Sequence, residues 1–355
     1  MQSARRANVR IVTRDLPVTL RSGIHRIDLV YNVVVELEDA GGLGTGYCFA
    51  FHEGEARALV ILVEQLLDLI RDRDWHEVRG IWNELWLAIN HIGQAGPPVM
   101  ALAAIDTALW DLLGQHAGLP LYKMWGAATS SVPAYASGGW LSYSADELVQ
   151  EAMSLVAEGF TRYKMKIGGP DQDVDINRVS HVMEALGCDV EVMVDANQAY
   201  TRNEALRMGR RLEELGVDWF EEPIDVSDVD GAAALTAALD LRIAIGETVF
   251  GIQGFSNLIS AGAADVMMPD LMRCGGITPL RAIPVLASAQ WLETSPHLFP
   301  EISAHVAASS PGKILIEYMP KWWTGFFVEA PTFHAGNLVL GDAPGLGIRV
   351  ASELP

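Results

Sequence analysis

The sequence is poor in cysteine and in positive charge. Its three cysteines, Cys48, Cys188 and Cys274, lie far apart and lack the close spacing of a zinc site. We therefore expect reduced thiols in a cytoplasmic protein. Lysine and arginine number 25 against 45 aspartates and glutamates, which gives a net charge of −20. Because phosphate backbones are bound by basic surfaces, this balance argues against a nucleic-acid partner.

Long apolar runs and phosphate-binding glycine patterns are also missing. No apolar run reaches the ~18 to 20 residues of a membrane helix, and no signal-peptide pattern follows Met1, so we expect no membrane association. The segment Gly41–Gly46 is rich in glycine, but no Gly-Lys-Ser/Thr follows it. A strand-like segment, Tyr47–Phe51, comes next, which favours a hairpin turn over a phosphate cradle.

Short apolar runs that end in a charged residue recur through the second half of the chain. The residues that end or follow these runs are separated by 26, 26, 23, 27 and 20 positions, and they are Asp195, Glu221, Glu247, Asp270, His297 and Glu317. One strand, one covering helix and two loops have about this length. The spacing therefore predicts a barrel of alternating strands and helices, in which the carboxyl ends of the strands share one face.

The first part of the chain predicts a separate α+β domain. Apolar and polar residues alternate from about 9 to 38, as in an antiparallel sheet, and helical spacing follows over 54–73, 76–94 and from Val99 to near Gly118. Between the strands, Leu16–Arg26 is predicted to be a mobile loop that covers the substrate. We assign residues 1–128 to this domain, 129–320 to the barrel and 321–355 to a tail that returns to the first domain's sheet.

Three carboxylates at successive strand ends predict a metal site. Asp195, Glu221 and Glu247 are hard oxygen donors, with no histidine or cysteine among them. Such a set suits octahedral Mg²⁺ better than Zn²⁺. A single acidic residue at a strand end would carry little weight, but three at equal spacing favour shared metal binding.

Two lysines and one histidine are the candidate acid/base groups. Lys164 and Lys166 flank Met165, so the strand period of 2 places both amines on one face. Two ammonium groups near a cation repel each other, which predicts a lowered proton affinity for one of them. Asp270 and His297 end the sixth and seventh strands, so the Asp270 carboxylate can orient the His297 imidazole as an acid/base. Glu317, on the last strand, is predicted to hydrogen-bond an anionic substrate in its protonated form.

These residues lie in motifs that resemble the mandelate racemase subgroup of the enolase superfamily. The motifs span nearly the whole chain and include Lys164-Met-Lys166, Val194–Gln198, Phe220–Pro223, Gly246–Thr248, Met268–Asp270, Pro296-His297 and Ile316-Glu317. The resemblance implies a (β/α)₇β TIM-type barrel with an N-terminal α+β capping domain that the C-terminal tail completes. It also implies a Mg²⁺ cofactor, a small carboxylate substrate and a homo-oligomer.

The resemblance further implies a shared first chemical step. A base removes the proton next to the substrate carboxylate and forms an enediolate, whose charge Mg²⁺, Lys164 and Glu317 would stabilise. Relatives of the cycloisomerase type carry a second lysine on the sixth strand. This chain has Asp270 there, which makes that branch unlikely.

Two reactions remain open after this step. In an acid-sugar dehydratase, His297 would protonate a departing hydroxyl and yield a 2-keto-3-deoxy acid; in a racemase or epimerase, it would return a proton to the opposite face. We favour the dehydratase, with Arg21, His25 and Asn197 as candidate substrate-binding groups. Tyr47 is the fourth such candidate, in an apolar pocket that would suit a racemase of a 2-hydroxy acid such as mandelate. A third alternative is a catalytically inactive barrel that only binds a ligand.

Overall fold

A ring of eight parallel strands forms the centre of the fold. The computed structural model describes residues 5–127 and 129–351, so residue 128, at the predicted domain boundary, lies outside the described residues. The strands of the ring, numbered along the whole chain, are β4 (Ser131–Gly138), β5 (Arg162–Lys166), β6 (Glu191–Asp195), β7 (Trp219–Glu221), β8 (Arg242–Ile245), β9 (Val266–Met267), β10 (Glu293–Thr294) and β11 (Ile316–Tyr318). Neighbouring strands pair in parallel from β4 to β10, and β11 pairs with β4. A bridge between Thr294 and Ile314 joins β10 to the segment before β11 and closes the ring.

Helices connect each strand of the ring to the next, and among the described residues no helix follows β11. They are α5 (Ala145–Ala157), α6 (Gln172–Leu186), α7 (Arg202–Leu215), α8 (Val229–Ala238), α9 (Gly251–Ala261), α10 (Leu271–Cys274), α11 (Ile277–Leu280), α12 (Ile283–Ser288) and α13 (Pro300–Ser309). The predicted (β/α)₇β architecture is therefore confirmed. Within the described chain, no helix is both long and apolar enough to cross a membrane.

The capping domain consists of an antiparallel sheet covered by helices. The sheet contains β1 (Arg6–Arg21), β2 (Arg26–Asp39) and β3 (Gly42–Ala50), and the helices are α1 (Glu53–Leu69), α2 (Val78–Ala88), α3 (Pro97–Ala117) and α4 (Leu121–Met124). Helix α3 begins at two prolines and ends before Gly118, whose φ of 64° suits a helix stop. It packs closely on β3, where a Cβ at Gly46 would lie 2.0 Å from the Ala104 carbonyl oxygen.

The segment predicted as a mobile loop is mostly β-hairpin. Strand β1 continues to Arg21 and β2 begins at Arg26, with an irregular register between Asp15 and Leu20. Leu16 and Leu20 are buried while Val18 between them is exposed, so the hairpin has an apolar side that is interrupted at the register shift. Ser22 and His25 in the turn border the mouth of the barrel.

The tail does not join the sheet of the capping domain among the described residues. Its strands are β12 (Phe327–Glu329), β13 (Thr332–His334), β14 (Asn337–Val339) and β15 (Arg349–Val350). Strand β14 pairs with residues 131–133 of β4. These residues come before the part of β4 that pairs with β5 and β11, so their backbone hydrogen-bonding groups are available to β14. The tail still reaches the capping domain, because the Leu346 N–H donates to Asp111 on α3 over 2.8 Å. The tail therefore contacts the capping domain, but the prediction that it pairs with the sheet of that domain is wrong.

A buried carboxylate fixes α3 to the barrel. Asp106 accepts hydrogen bonds from the Thr278 N–H (2.8 Å) and from its hydroxyl (2.6 Å). Asp106→Ala is expected to lower the free energy of unfolding by about 1 to 3 kcal/mol, because it leaves both buried donors without an acceptor. Urea unfolding would measure this, with Asp68→Ala as an exposed control on α1. Equal stability of the two variants would contradict the proposed fixing role.

Candidate active site

The polar residues at the strand ends converge at one mouth of the ring. Lys166 is the register partner of Asp195, and Asp195 is the partner of Glu221, so three neighbouring strands end in one row. On the other side of the ring, Asp270 and His297 form a parallel bridge. The strand-end residues that the sequence spacing predicted to converge therefore do lie together. All its members are buried except His297, whose side chain is 12% exposed.

Three carboxylates form the floor of this cluster. Asp195, Glu221 and Glu247 each offer an oxygen within 4.8 Å of the others. Asp195 also accepts a hydrogen bond from the Asn197 N–H (2.8 Å), and the Asn197 side-chain amide donates to Glu247 over 3.4 Å. The arrangement provides hard oxygen ligands, which is the donor set that Mg²⁺ prefers.

The charge balance of the cluster also fits a divalent cation. Two ammonium groups and one imidazole face five carboxylates, namely those of Asp195, Glu221, Glu247, Asp270 and Glu317. Burying uncompensated negative charge is costly, so a cation is needed to balance the set. Burial raises the pKa of Glu221, although Lys164 opposes the shift. The upward direction means that these surroundings disfavour the ionised form of Glu221.

Lys164 is held between two carboxylates. Its Nζ lies 2.7 Å from Glu221 Oε2 and 2.9 Å from Glu317 Oε1, and it donates to the Tyr135 hydroxyl over 3.2 Å. Although burial lowers its pKa, the two carboxylates raise it well above the usual range. Lys164 is thus a fixed positive charge and is poorly suited to act as a base.

Lys166 forms an ion pair with Asp195 and lies 5.5 Å from the centre of the Trp140 ring. Burial lowers its pKa, but the carboxylates of Asp195, Glu247 and Glu221 together raise it more, so the net shift is upward. The predicted lowering of lysine proton affinity concerns a site that holds a cation, and it stays a prediction.

His297 is oriented from both ring nitrogens. Its Nδ1 lies 2.8 Å from Asp270 Oδ2, and its Nε2 lies 3.3 Å from Glu247 Oε2. Burial lowers the pKa of His297, whereas Glu247 and the hydrogen bond to Asp270 raise it, and the result is above the usual value. Asp270 is fixed in turn, because it accepts the Arg273 N–H over 2.9 Å.

Glu317 lies among positively charged neighbours. Burial raises its pKa, but Lys164, His297 and Lys166 together lower it more, so the pKa lies below the usual range. The predicted protonated form concerns the complex with an anionic substrate, and it stays a prediction. Glu317 also accepts the Leu298 N–H over 3.0 Å, which ties it to the residue after His297.

A cavity opens above these groups. Lys166, His297 and Glu247 border it together with two of the predicted substrate-binding residues, His25 and Asn197. The other two lie elsewhere. Arg21 lines a neighbouring pocket, and Tyr47 is fully buried in an aromatic cluster.

The cavity also has lining residues that the sequence analysis did not assign. Arg273 is the most polar of these, and its guanidinium donates to the Glu247 carbonyl over 2.7 Å. In the sequence, its position three residues after Asp270 is the signal that could have placed Arg273 at the site. The remaining lining residues are apolar and are Ile27, Phe49, Phe51, Trp140, Leu298, Met319 and Trp322.

Both parts of the chain match models of known protein families. Residues 6–126 match the model of the mandelate racemase / muconate lactonizing enzyme N-terminal domain, and residues 147–354 match the enolase C-terminal domain-like model. An L-talarate/galactarate dehydratase of Salmonella typhimurium is 33% identical over 90% of this chain and 81% of that protein. A D-galactarolactone cycloisomerase of Agrobacterium fabrum is 32% identical over 96% of this chain and 94% of its own length.

A solved structure gives the same result at the level of the fold. The Salmonella typhimurium L-talarate/galactarate dehydratase, liganded with Mg and L-lyxarohydroxamate, superposes with a TM-score of 0.93 at 30% identity. The match covers 99% of this chain and 91% of that one.

Proposed function

Since the chain belongs to the mandelate racemase / muconate lactonizing enzyme family of the enolase superfamily, an enzyme family of lyases and isomerases, we propose that it is a Mg²⁺-dependent acid-sugar dehydratase. The observation that carries the proposal is that Lys166 and His297 border one cavity together with Glu247, a member of the carboxylate triad. A dehydratase needs a base for the proton next to the carboxylate and an acid for the departing hydroxyl. Two proton-transfer groups at one cavity meet that need.

The roles follow from the contacts of each residue. Asp195, Glu221 and Glu247 would hold Mg²⁺, which would supply positive charge to offset these carboxylates and to stabilise the substrate carboxylate. Lys166, whose amine borders the cavity, would act as the base. Lys164 stays charged between Glu221 and Glu317 and stabilises the enediolate.

His297 completes the reaction as an acid. Its pKa lies above the usual value despite burial, because Glu247 and the hydrogen bond to Asp270 stabilise the imidazolium, and this direction favours a role as an acid. Asp270 occupies Nδ1, so Nε2, which lies 3.3 Å from Glu247, is the atom that would donate to the departing hydroxyl. The product is an enol that becomes a 2-keto-3-deoxy acid.

The polar edge of the cavity supports a hydroxylated substrate. Ser22, His25, Asn197 and Arg273 offer donors along this edge. A polyol chain buried without such partners would lose its hydrogen bonds to water at a high free-energy cost. The dehydratase activity in the names of relatives also supports this substrate class.

A second candidate is a racemase or epimerase of a 2-hydroxy acid. The apolar lining residues Phe49, Phe51 and Trp322 favour it, because such side chains suit an aromatic or aliphatic group better than hydroxyls. In this reaction His297 would return the proton to the opposite face of the same carbon.

A substrate library separates these candidates. We expect acid sugars, with galactarate and L-talarate as first probes, to yield 2-keto-3-deoxy acids that react with semicarbazide, and to exchange their α-proton with D₂O. Mandelate enantiomers, followed by optical rotation, test the second candidate, and an isomer formed without loss of water would indicate isomerisation. The proposal fails if Mg²⁺-loaded protein forms no keto acid from any library member.

A further inference from the structure

A buried hydrogen bond joins the capping domain to the barrel behind His297. Tyr47, on β3, donates its hydroxyl to Glu301 in the first turn of α13. Both side chains are buried, and neither borders the cavity. Helix α13 begins at Pro300, only three residues after His297. The bond therefore fixes the helix that directly follows the acid/base residue.

The two residues between His297 and α13 have an unusual backbone. Leu298 and Phe299 have φ angles of 50° and 49°, in the left-handed region that residues with a side chain rarely adopt. Such a conformation persists only where surrounding contacts hold it. One of these contacts is the Leu298 N–H donating to Glu317.

Phe299 provides the other contacts, and Tyr47 is central to them. The Phe299 ring is fully buried, with its centre 5.3 Å from that of Tyr47, 5.9 Å from Phe49 and 5.7 Å from Trp323. Tyr47 thus touches the segment twice, through its ring on Phe299 and through its hydroxyl on Glu301. Burial, followed by the charge of Glu301, raises the pKa of Tyr47, so the hydroxyl keeps its proton and donates.

We propose that Tyr47 and Glu301 are positioning residues for His297. Their hydrogen bond holds the left-handed backbone at Leu298 and Phe299, and so sets where His297 Nε2 meets the substrate. The inference rests on the proposed function, because it takes His297 as one of two proton-transfer groups. Lys166 belongs to β5, on another part of the ring, and is held by Asp195 instead. Loss of the bond should therefore affect one proton transfer and spare the other.

Tyr47→Phe is the test variant, because it keeps the ring on Phe299 and removes only the hydroxyl. Galactarate and L-talarate differ in configuration at one α-carbon, so they present that proton to opposite sides. Comparison with Lys166→Ala and His297→Asn shows which residue each exchange in D₂O depends on. In Tyr47→Phe we expect the His297-dependent exchange to fall about 10- to 100-fold, as for a small misplacement of a reacting group, and the Lys166-dependent exchange to be unchanged.

Two further variants test whether the effect is one of position. Glu301→Gln keeps an oxygen that can accept the Tyr47 hydroxyl, so it should retain the parent rate on both sides. Tyr200→Phe removes another mostly buried hydroxyl that is bonded to a carboxylate, Asp175, beyond the Lys166 strand. It should leave the His297-dependent exchange intact. Two results would overturn the inference. In the first, Tyr47→Phe loses the Lys166-dependent and the His297-dependent exchange to the same extent. In the second, Tyr200→Phe loses as much His297-dependent exchange as Tyr47→Phe does.

A readout without turnover separates this inference from the proposed function. If the parent protein exchanges neither acid, the proposed function fails for these substrates. The Nδ1–H proton resonance of His297, assigned by its loss in His297→Asn, still reports on the hydrogen bond to Asp270. We expect it to shift in Tyr47→Phe and to stay in place in Tyr200→Phe. An unshifted resonance in Tyr47→Phe would overturn the positioning role.

Discussion

Replacing Lys166 by alanine is expected to lower kcat for dehydration by about 10²- to 10⁴-fold, the range of general acid–base catalysis. The same variant should lose α-proton exchange for one epimer only, because His297 still borders the cavity. His297→Asn should behave differently. Its amide can still donate to Asp270 and keep the local structure, but it cannot supply a proton to the departing hydroxyl. We therefore expect exchange on the Lys166 side to persist while keto-acid formation is lost.

The measurement is parallel detection of exchange by NMR and of keto acid by a colour reaction, in protein saturated with Mg²⁺. His181→Asn is a suitable control, because His181 is exposed on α6 and contacts the carbonyl of Asn177 in its own helix. Its rates should equal those of the parent. If Lys166→Ala and His297→Asn each exchanged both epimers at the parent rate, the assignment of acid and base would be wrong.

The positions of the chemical groups could be predicted because they depend on local features. A strand that ends in a carboxylate, followed by a helix of ordinary length, fixes the register of Asp195, Glu221 and Glu247 without any long-range contact. The same holds for the Asp270–His297 pair, whose residues end neighbouring strands. The alternating barrel and the three candidate metal ligands therefore followed from spacing, whereas the (β/α)₇β form was implied by the family resemblance.

The surroundings of these groups depend on contacts between distant segments. Arg21 and His25 were predicted together from one polar segment, yet the hairpin turn directs only His25 to the cavity. Tyr47 was predicted to bind substrate, but aromatic residues of the tail, about 275 positions later, enclose it. The pKa of Lys166 depends on its distance to Asp195, which no sequence pattern gives. Specificity and protonation were thus less predictable than the position of the site.

Removing divalent ions with a chelator is expected to abolish exchange on both sides at once, because the triad serves both proton transfers. This pattern differs from that of the base variants, which lose one side each. Added Mg²⁺ should restore activity and should also raise the unfolding temperature of the parent. At 100 times its dissociation constant, a ligand that binds only the folded state stabilises it by about 2.7 kcal/mol. Thermal unfolding with and without Mg²⁺ measures this effect without any substrate.

Glu221→Gln is expected to lose most of this stabilisation, because it replaces a charged ligand of the triad by a neutral amide of the same size. The matched control is Glu222→Gln at the next position. Glu222 is buried as well, but its carboxylate binds Gln198 and Thr248 rather than the triad. The control should keep the Mg²⁺-dependent rise in unfolding temperature. Two results would show that the cation does not bind at the triad. One is that Glu222→Gln loses the Mg²⁺-dependent rise in unfolding temperature while Glu221→Gln keeps it. The other is that the parent protein shows no such rise.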